Sequence, residues 1–197
     1  METTNSLKER DNIFQVAVLL MIPCLIIALL IGCKSEEQLL KEGEMALELS
    51  SSAFQEGGEI PTKYTCEGQD VSPAITWGEP PAGTQSLALI VDDPDAPVGV
   101  FTHWVLFNLP ADSRGLPEAM PTQAQLPDGS LQGKNDFGKI GYGGPCPPPG
   151  RPHRYQFTLY ALDQTLDLKA GASKKQVLDA MQGHILAQGR LTGTYQR

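Results

Sequence analysis

The sequence predicts a mainly β fold, namely a two-sheet antiparallel β-sandwich with one or two peripheral helices. Apolar runs of strand length are separated by turns that use many of the chain's 16 prolines and 20 glycines. The strands and helices do not alternate as in βαβ units, and no internal repeat with a period of roughly 20–50 residues is present. Only one segment has clear helical periodicity. Together these observations favour packed antiparallel sheets over a parallel α/β sheet.

The predicted strands follow one another along the chain. Alternating or continuously apolar segments occur at 46–51, 74–77, 87–91, 104–109, 155–162 and 191–195. The runs at 87–91 and 104–109 are apolar throughout, which is typical of strands buried on both faces. Aromatic and β-branched residues favour a strand at 155–162. Trp77 and Trp104 lie in these strands and are predicted to be core residues.

The remaining segments predict one helix and one long loop. Ser173 is a suitable N-cap, and Val177, Met181 and His184 recur after it at helical spacing. His184 is therefore interpreted as a structural residue of that helix. Residues 111–139 are rich in Pro, Gly, Gln and Asp, so we expect a long surface excursion there.

Residues 1–33 predict a lipoprotein signal peptide. A charged start precedes the largely apolar residues 13–31, and the segment ends in Leu-Ile-Gly-Cys, which resembles the lipobox of bacterial lipoproteins. The thiol of Cys33 would carry the lipid, and residues 34–45 would form a polar tether. The alternative is an uncleaved membrane helix, because an apolar run of this length can cross a bilayer.

In either case the β domain, predicted at 46–197, would lie outside the cytoplasm and be held to a membrane through its N-terminus. The predicted location is the bacterial cell envelope. By resemblance to the sorting rules of bacteria with two membranes, Lys34 after the lipidated cysteine favours the outer membrane.

Charge and cysteine content exclude two classes of function. The net charge of -8 argues against nucleic-acid binding, which requires a basic surface. Cys24 falls in the signal peptide and Cys33 is assigned to the lipid, so Cys66 and Cys146 remain. They could form a disulfide in an oxidising compartment or stay as two separate buried thiols. No C-x-x-C spacing indicates a zinc site.

Two polar stretches interrupt the predicted strands and are candidate binding loops. Residues 92–97 place carboxylates between prolines directly after a buried strand, and His103 opens the next strand. Prolines stiffen such a loop and hold its side chains in place. Residues 141–150 are rich in Gly and Pro and precede His153 and Tyr155. Their glycines allow backbone N–H groups to approach a ligand or to form an anion-binding concavity.

These stretches carry a family resemblance. Asp-Pro-Asp-Ala-Pro at 93–97, a His at the start of a strand, Gly-Pro at 144–145 and His-Arg-Tyr at 153–155 resemble the signature blocks of the phosphatidylethanolamine-binding or Raf-kinase-inhibitor-like family, in its bacterial branch. The resemblance extends from about residue 47 to the C-terminus. It implies a two-sheet β fold with a small cavity for phosphate-like anions. The cavity residues that it implies are Asp93, His103, Gly144, Pro145, His153 and Tyr155.

The chemistry of these side chains agrees with the implied cavity. The Tyr155 hydroxyl and either imidazole can donate a hydrogen bond to an anion. Asp93 would orient a histidine or hold it protonated, or would accept from an ammonium group such as that of phosphoethanolamine. Asp92 and Asp95 are interpreted as turn residues that satisfy local backbone N–H groups. Arg154 alternates away from the cavity and faces solvent or an ion-pair partner.

We therefore expect a non-enzymatic binding protein for phosphate-bearing or phosphoethanolamine-like ligands, including phospholipid headgroups, that uses no cofactor. Family members are described as binding headgroups and as inhibiting kinases or proteases, so modulation of a protein partner is a further expectation; that partner is unknown. The alternative is an enzyme in which Asp93, His103 and His153 bind a metal or act as acid and base. No H-E-x-x-H or G-x-S-x-G motif supports it. A structural envelope protein with a vestigial cavity is a third hypothesis.

Overall fold

The predicted strands pair into two sheets in the computed structural model, which describes residues 45–197. The large sheet contains β1 (Met45–Ala46), β4 (Ser86–Asp93), β5 (Phe101–Pro110), β7 (Leu131–Gln132), β8 (His153–Leu162) and β9 (Ile185–Tyr195), in the order β1-β9-β8-β4-β5-β7. The small sheet contains β2 (Leu49–Ser50), β3 (Ile75–Trp77) and β6 (Gly115–Leu116), in the order β2-β3-β6. Of the named strand pairs, β1–β9 is parallel and the others are antiparallel. The mainly β, two-sheet prediction is confirmed.

The predicted signal peptide, Cys33 and most of the predicted tether lie outside the described residues. The tether prediction ended at residue 45, whereas Met45 already belongs to β1. Over residues 45–197, no helix is long and apolar enough to cross a membrane.

Alternation along the central strands divides the core into two layers. Leu87, Leu89 and Val91 of β4 belong to the apolar cluster that also contains Ile75 and Trp77 of the small sheet. The intervening Ala88 and Ile90 belong to a second cluster with Val177 and Met181 of the helix α1 (Lys174–Met181). The large sheet is therefore covered on both faces, as the continuous apolar runs predict. Trp77 and Trp104 are buried, as expected.

The prediction of a single strand at 46–51 is wrong. This segment divides into β1, which pairs with β9, and β2, which pairs with β3. The Leu47 amide donates to the Gln188 carbonyl, while the Glu48 carbonyl accepts from the Gly78 amide. The chain thus passes from one sheet to the other within two residues, a change that side-chain alternation does not reveal.

The segment 111–139 is not only a surface excursion. It contributes β6 and β7, and it is anchored by the fully buried side chain of Gln132. The Gln132 amide oxygen accepts from Trp104 Nε1, and its nitrogen donates to the carbonyls of Pro121 and Gln123. The segment is held in place by the hydrogen bonds of one buried amide side chain. It therefore lacks the apolar pattern from which its packing could have been predicted.

The predicted helix is present but ends earlier than its periodicity suggests. Ser173 and Gln176 form a capping box at its start. The helix ends at Met181, so the placement of His184 within it is wrong. Gly183 has a φ of +80° just after the helix end, and His184 Nδ1 lies 2.8 Å from a carboxylate oxygen of Asp163.

Strand β5 carries a β-bulge near its C-terminal end. A register shift against β4 between Leu87 and Leu89 leaves one extra residue on β5 at this point. Asn108 lies in the bulge with a φ of +57°. Its side-chain oxygen accepts from the Leu166 amide at 2.8 Å, and its nitrogen donates to the Leu166 carbonyl at 2.9 Å. All the polar groups of this bulge side chain are thus engaged inside the domain.

Candidate functional site

A second β-bulge lies at the start of β5, and His103 is its extra residue. Val91 of β4 pairs with Trp104, and the next residue, Asp92, pairs with Thr102, so His103 has no partner on β4. A bulge redirects the side chain of the inserted residue relative to the strand's alternation. His103 is thereby turned towards the side chains that β4 and β8 present at this end of the sheet.

Four of the six predicted cavity residues meet here. Asp93 ends β4, and His153 and Tyr155 start β8 on one face of that strand. His153 Nδ1 lies 2.8 Å from Asp93 Oδ2, and the rings of His103 and Tyr155 meet edge to face with centroids 5.1 Å apart. Each of the four residues is at most 4% exposed. They form a polar cluster inside an otherwise apolar layer.

Asp93 acts as an orienting carboxylate in this cluster. One of its oxygens accepts from His153, and the other accepts from the Asp95 amide at 2.8 Å. Asp93 therefore accepts from a local backbone N–H, the role that the sequence analysis gave to Asp92 and Asp95. With both oxygens engaged, its role is to fix the His153 ring rather than to contact an anion.

His103 is held by the Gly-rich loop. Its Nδ1 lies 2.7 Å from the Gly143 carbonyl oxygen, and the Gly143 amide donates back to the His103 carbonyl at 3.0 Å. Because a carbonyl can only accept, Nδ1 carries the proton. Burial lowers the pKa of His103, and the loop carbonyls and the charge of Asp93 oppose this shift less strongly. The neutral ring therefore keeps a lone pair on Nε2.

The Tyr155 hydroxyl is buried without a regular hydrogen bond among residues 45–197, although the Asp93 carboxylate lies close enough to act as an acceptor for it. Burial, followed by the nearby negative charge of Asp93, raises the pKa of this hydroxyl well above its usual value. The group therefore stays protonated and can donate. An unsatisfied buried hydroxyl costs about 1–3 kcal/mol, and such a group in a native fold calls for an explanation, for which a ligand is a candidate.

The backbone of the Gly-Pro loop does not supply the donors that the sequence suggested. The Gly144 amide donates to Asp70 Oδ1 at 2.6 Å, and Pro145 has no N–H, while its carbonyl accepts from the Cys66 amide at 3.1 Å. The Gly144 amide is therefore already engaged within the domain, and the placement of Gly144 and Pro145 in a ligand cavity stays a prediction. Glycine is required here for close approach, because a Cβ on Gly144 would lie 2.3 Å from the Tyr64 carbonyl oxygen.

A disulfide joins Cys66 and Cys146 across 80 residues of sequence. It ties the segment around the 3-10 turn Thr62–Tyr64 to the Gly-Pro loop. The two possibilities that the sequence left open are thus decided in favour of the bridge. The Tyr142 hydroxyl strengthens the same junction by donating to the Tyr64 carbonyl at 2.9 Å.

Sequence reasoning missed the residues that support the cluster. Asp70 holds Gly144, Tyr142 holds the turn, and the Asn135 side chain donates to the Gly141 carbonyl at 3.0 Å. Asp70 and Tyr142 bond to backbone groups more than 70 residues away, so no spacing or periodicity could identify those two. The one available signal was their position in loops next to the signature blocks.

An apolar cover lies over His103. The rings of Phe101 and Phe137 contact its ring with centroid distances of 5.2 and 5.3 Å, and they contact each other at 4.8 Å. Phe137 is 42% exposed, and Val98 and Val100 on the neighbouring hairpin are more exposed still. Two surface cavities, of about 580 and 360 Å³, include none of the four clustered side chains in their walls.

Asp95 and Asp92 form ion pairs rather than local turn contacts. Asp95 accepts from the guanidinium and the backbone amide of Arg154, and this pairing lowers the pKa of Asp95 well below its usual value. Asp92 pairs with Lys174 of α1 at 2.6 Å. The interpretation of Arg154 as an ion-pair residue agrees with this geometry.

Residues 45–197 contain no group of three His, Cys, Asp or Glu side chains placed to hold a metal ion. The alternative set of Asp93, His103 and His153 is therefore not arranged as a metal site. What the arrangement offers is a hydroxyl donor, two oriented imidazoles and an apolar cover.

The fold is a mainly β domain of two sheets, with the Asp-His-His-Tyr cluster at one end of the large sheet. The chain belongs to the phosphatidylethanolamine-binding protein family, whose model matches residues 50–196.

Similar proteins extend across bacteria and archaea. A UPF0098 protein of Methanothermobacter thermautotrophicus is 56% identical over 77% of this chain and 99% of its own length. One from Aquifex aeolicus is 49% identical over 81% of this chain and 94% of its own. Among solved structures, a putative family homologue from Chlamydia trachomatis, CT736, superposes with a TM-score of 0.71 at 41% identity, covering 77% of this chain and 98% of its own. Escherichia coli YbcL, described as a new member of the mammalian family, does so with a TM-score of 0.72 at 34% identity, covering 78% and 99%.

Proposed function

We propose that the protein is a non-enzymatic binding protein whose cluster of Asp93, His103, His153 and Tyr155 takes a small phosphate-bearing or phosphoethanolamine-like ligand. The observation that supports this most strongly is the buried hydroxyl of Tyr155, which makes no regular hydrogen bond within the described part of the chain. A ligand oxygen that accepted from this hydroxyl would satisfy it and recover the cost of leaving it unpaired.

The roles of the other three residues follow from their contacts. Asp93 fixes the His153 ring by accepting from its Nδ1, and in this proposal Nε2 of that ring faces the ligand. His103 is fixed by the Gly143 carbonyl and also offers Nε2. The Asp93 carboxylate accepts from His153 and from the Asp95 amide, and its negative charge also acts on the His103 ring and on the Tyr155 hydroxyl.

Binding is favoured over catalysis by the same contacts. General acid-base chemistry needs a group that can take up and release protons at the ligand. The His103 ring is buried with a lowered pKa, and Tyr155 has a strongly raised pKa, so both tend to keep their protonation state at neutral pH. Family membership adds support, because the family is named for phosphatidylethanolamine binding.

The cellular setting is part of the proposal. We infer that Cys33 is lipidated and that the domain is displayed in the cell envelope, where it could also modulate a protein partner. The Cys66–Cys146 disulfide supports an oxidising compartment. Mass spectrometry of the mature protein from a bacterial membrane fraction would test this. A diacylglyceryl group on Cys33 is the expected result, and an intact N-terminus would contradict it.

The ligand proposal is tested by thermal unfolding of the purified full-length chain with phosphate, phosphoethanolamine and sulfate, at pH 5.5 and pH 7.5. A ligand at a hundred times its dissociation constant should stabilise the fold by about 2.7 kcal/mol. The stabilisation should disappear in Tyr155→Phe and persist in Tyr64→Phe, whose hydroxyl bonds Glu118 at the surface. If none of the three ligands shifts the unfolding temperature at either pH, the proposal fails, and the hypothesis of a vestigial cavity gains support.

A further inference from the structure

Exposed apolar side chains gather at one end of the large sheet. Of the four large apolar side chains that are exposed in the described part of the chain, Val98 and Val100 lie on the hairpin between β4 and β5, and Phe137 lies beside it. The two valines are 85% and 56% exposed. The Gly99 amide between them donates to the Ala96 carbonyl at 3.0 Å and closes a tight turn. The two valines and the phenylalanine form what we call the apolar tip.

The turn that carries Phe137 is fixed against the start of β5. The Asp136 amide donates to the Thr102 carbonyl at 2.9 Å, and the Asp136 carboxylate accepts from the Thr102 amide at 2.7 Å. The rings of Phe137 and Phe101 meet with centroids 4.8 Å apart. The apolar tip is therefore one surface, built from two segments that hydrogen bonds hold together.

Cations without an ion-pair partner surround the apolar tip. Lys134 and Lys139 flank its aromatic turn and are exposed. The hydrogen bond from Arg154, and to a smaller extent the charge of Arg151, lower the pKa of Asp95 on the hairpin, which places Arg151 nearby. Within the part of the chain that the structure describes, neither of the two lysines nor Arg151 belongs to an ion pair.

The carboxylates at this end of the sheet are engaged within the domain. Ion pairs or backbone hydrogen bonds hold four of them, namely Asp92 with Lys174, Asp93 with His153, Asp95 with Arg154 and Asp136 with the Thr102 amide. The chain as a whole carries a net charge of -8, but the three cations that lack a partner lie next to the apolar tip. A surface that approaches the tip therefore meets exposed apolar groups and unpaired positive charge.

We propose that the apolar tip inserts into the surface of a bilayer that contains anionic lipids. Its side chains would leave water for the boundary between headgroups and acyl chains, and the adjacent cations would lie against lipid phosphates. This membrane contact goes beyond the proposed ligand-binding function. It depends neither on that function nor on lipidation of Cys33.

The size of the tip favours a bilayer over a protein partner or a second copy of the chain. A specific protein interface buries roughly 800 Å² on each side and needs a complementary surface. Three side chains on two turns supply only a small part of such an area. A bilayer needs no shape complementarity, and its affinity for a protein grows with the apolar area inserted and with the attraction of cations to anionic lipids.

The apolar tip and β1 lie at opposite ends of the large sheet. Met45 of β1 pairs with Ala187 of β9, and this residue lies opposite Ala161 of β8. Ala161 in turn pairs with Leu87 near the start of β4. The hairpin of the tip follows the other end of β4, beyond Asp93. Insertion of the tip can therefore be separated from attachment through the N-terminus by a readout placed at the tip itself.

Tryptophan fluorescence in vesicles with brominated acyl chains tests insertion at single residues. The full-length chain is reconstituted into phosphatidylcholine vesicles with or without phosphatidylglycerol, as Val98→Trp or as the matched control Ile185→Trp. Ile185 is also an exposed apolar residue, at 37%, but it lies at the other end of the large sheet. The native Trp77 and Trp104 are buried and should be quenched little. We expect quenching of Val98→Trp in the anionic vesicles, and in Ile185→Trp no more quenching than in the wild type.

The apolar and charged contributions are tested separately in the Val98→Trp background. Val100→Asp should lower the ratio of inserted to free tips at least about tenfold, because an apolar side chain is replaced by a charged one. Lys134→Gln/Lys139→Gln should lower it on the order of tenfold, and so should about 1 M salt, which screens charges beyond about 3 Å. Lys175→Gln should leave the ratio unchanged, because Lys175 is an exposed lysine of α1 that already has an ion-pair partner.

Quenching at position 98 that does not exceed quenching at position 185, or that is equal with and without phosphatidylglycerol, would overturn the inference. Chemical cross-linking of the full-length chain in the same vesicles tests a second copy as the occupant. We expect the same yield of dimers in the wild type and in Val98→Asp, and loss of dimers in the variant would show that the tip is a contact between copies. Val98→Asp and Val100→Asp should unfold at the wild-type temperature, because both side chains are exposed, so a lost signal would not reflect a lost fold.

Discussion

Strand β5 has a β-bulge near each of its two ends, and the two inserted side chains make different contacts. At Asn108 the inserted residue turns its amide onto the Leu166 backbone and satisfies both of its polar groups. At His103 the ring nitrogen Nδ1 bonds the Gly143 carbonyl, and the neighbouring Tyr155 hydroxyl is buried without a regular hydrogen bond among residues 45–197. The difference teaches that a bulge alone does not make a site. A site arises where the redirected side chain joins a cluster whose hydrogen bonds are left incomplete.

The two ends also differ in how they are supported. The Asn108 end is closed by one residue of the neighbouring loop. The His103 end depends on several long-range ties, which are the Cys66–Cys146 disulfide, the Asp70–Gly144 hydrogen bond and the Tyr142–Tyr64 hydrogen bond. The end that carries the buried polar cluster is therefore tied to distant segments by more of these long-range contacts than the Asn108 end.

Removal of the disulfide should have the largest effect on stability, and it should affect the His103 end of β5 more than the Asn108 end. For a loop of 80 residues, loss of the bridge is expected to lower the free energy of unfolding by about 4 kcal/mol. In the variant Cys66→Ser/Cys146→Ser, hydrogen exchange should show the Gly144 amide losing protection while the Leu166 amide keeps it. Treatment of the wild type with a dithiol should reproduce this result, and the double variant should not respond to it. Equal loss of protection at both amides would show that the bridge stabilises the domain as a whole and does not specifically brace the site.

Asn108→Ala should destabilise the bulge at the C-terminal end of β5. Two hydrogen bonds to the Leu166 backbone are lost, and alanine must adopt a φ of +57°, so we expect a loss of about 3 kcal/mol. Asn108→Gly removes the same hydrogen bonds without the backbone strain and should cost about 1 kcal/mol less. Chemical denaturation measures both values. Phosphate affinity should not change in either variant, and a loss of affinity would contradict the separation of the two ends.

The smallest expected effect is the contribution of His103 to the pH dependence of the free energy of unfolding. Burial lowers its pKa in the folded state below the unfolded value of about 6.5. As the pH falls below that value, the unfolded chain binds a proton that the folded ring does not yet bind. Stability should therefore decline by up to about 1.4 kcal/mol per pH unit until the folded pKa is reached.

Denaturation at pH 7.5, 6.5 and 5.5 checks this effect, with His103→Gln as the comparison, because that variant removes the titrating ring and leaves the other two histidines in place. The slope between pH 6.5 and 5.5 should be smaller in the variant. Identical slopes would mean that His103 is as easily protonated in the folded state as in the unfolded chain.

Much of the architecture could be read from the sequence because it depends on local pattern. The apolar runs at 87–91, 104–109 and 155–162 became the central strands, since residues buried on both faces must be apolar over a strand's length. Ser173 marked the helix start, since an N-cap needs a side-chain acceptor. The signature blocks also located Asp93, His103, His153 and Tyr155, although nothing in them stated how the four would meet.

Other features were decided only by the tertiary structure, because they depend on partners far apart in the chain. The register shift that aims His103 exists only against β4, and the disulfide and Asp70 act across more than 70 residues. The Gly144 amide looked free for a ligand until the fold placed Asp70 beside it. The sequence by itself determined which residues could form a site, whereas the fold determined which of their hydrogen bonds are made within the domain, because those bonds need partners far apart in the chain.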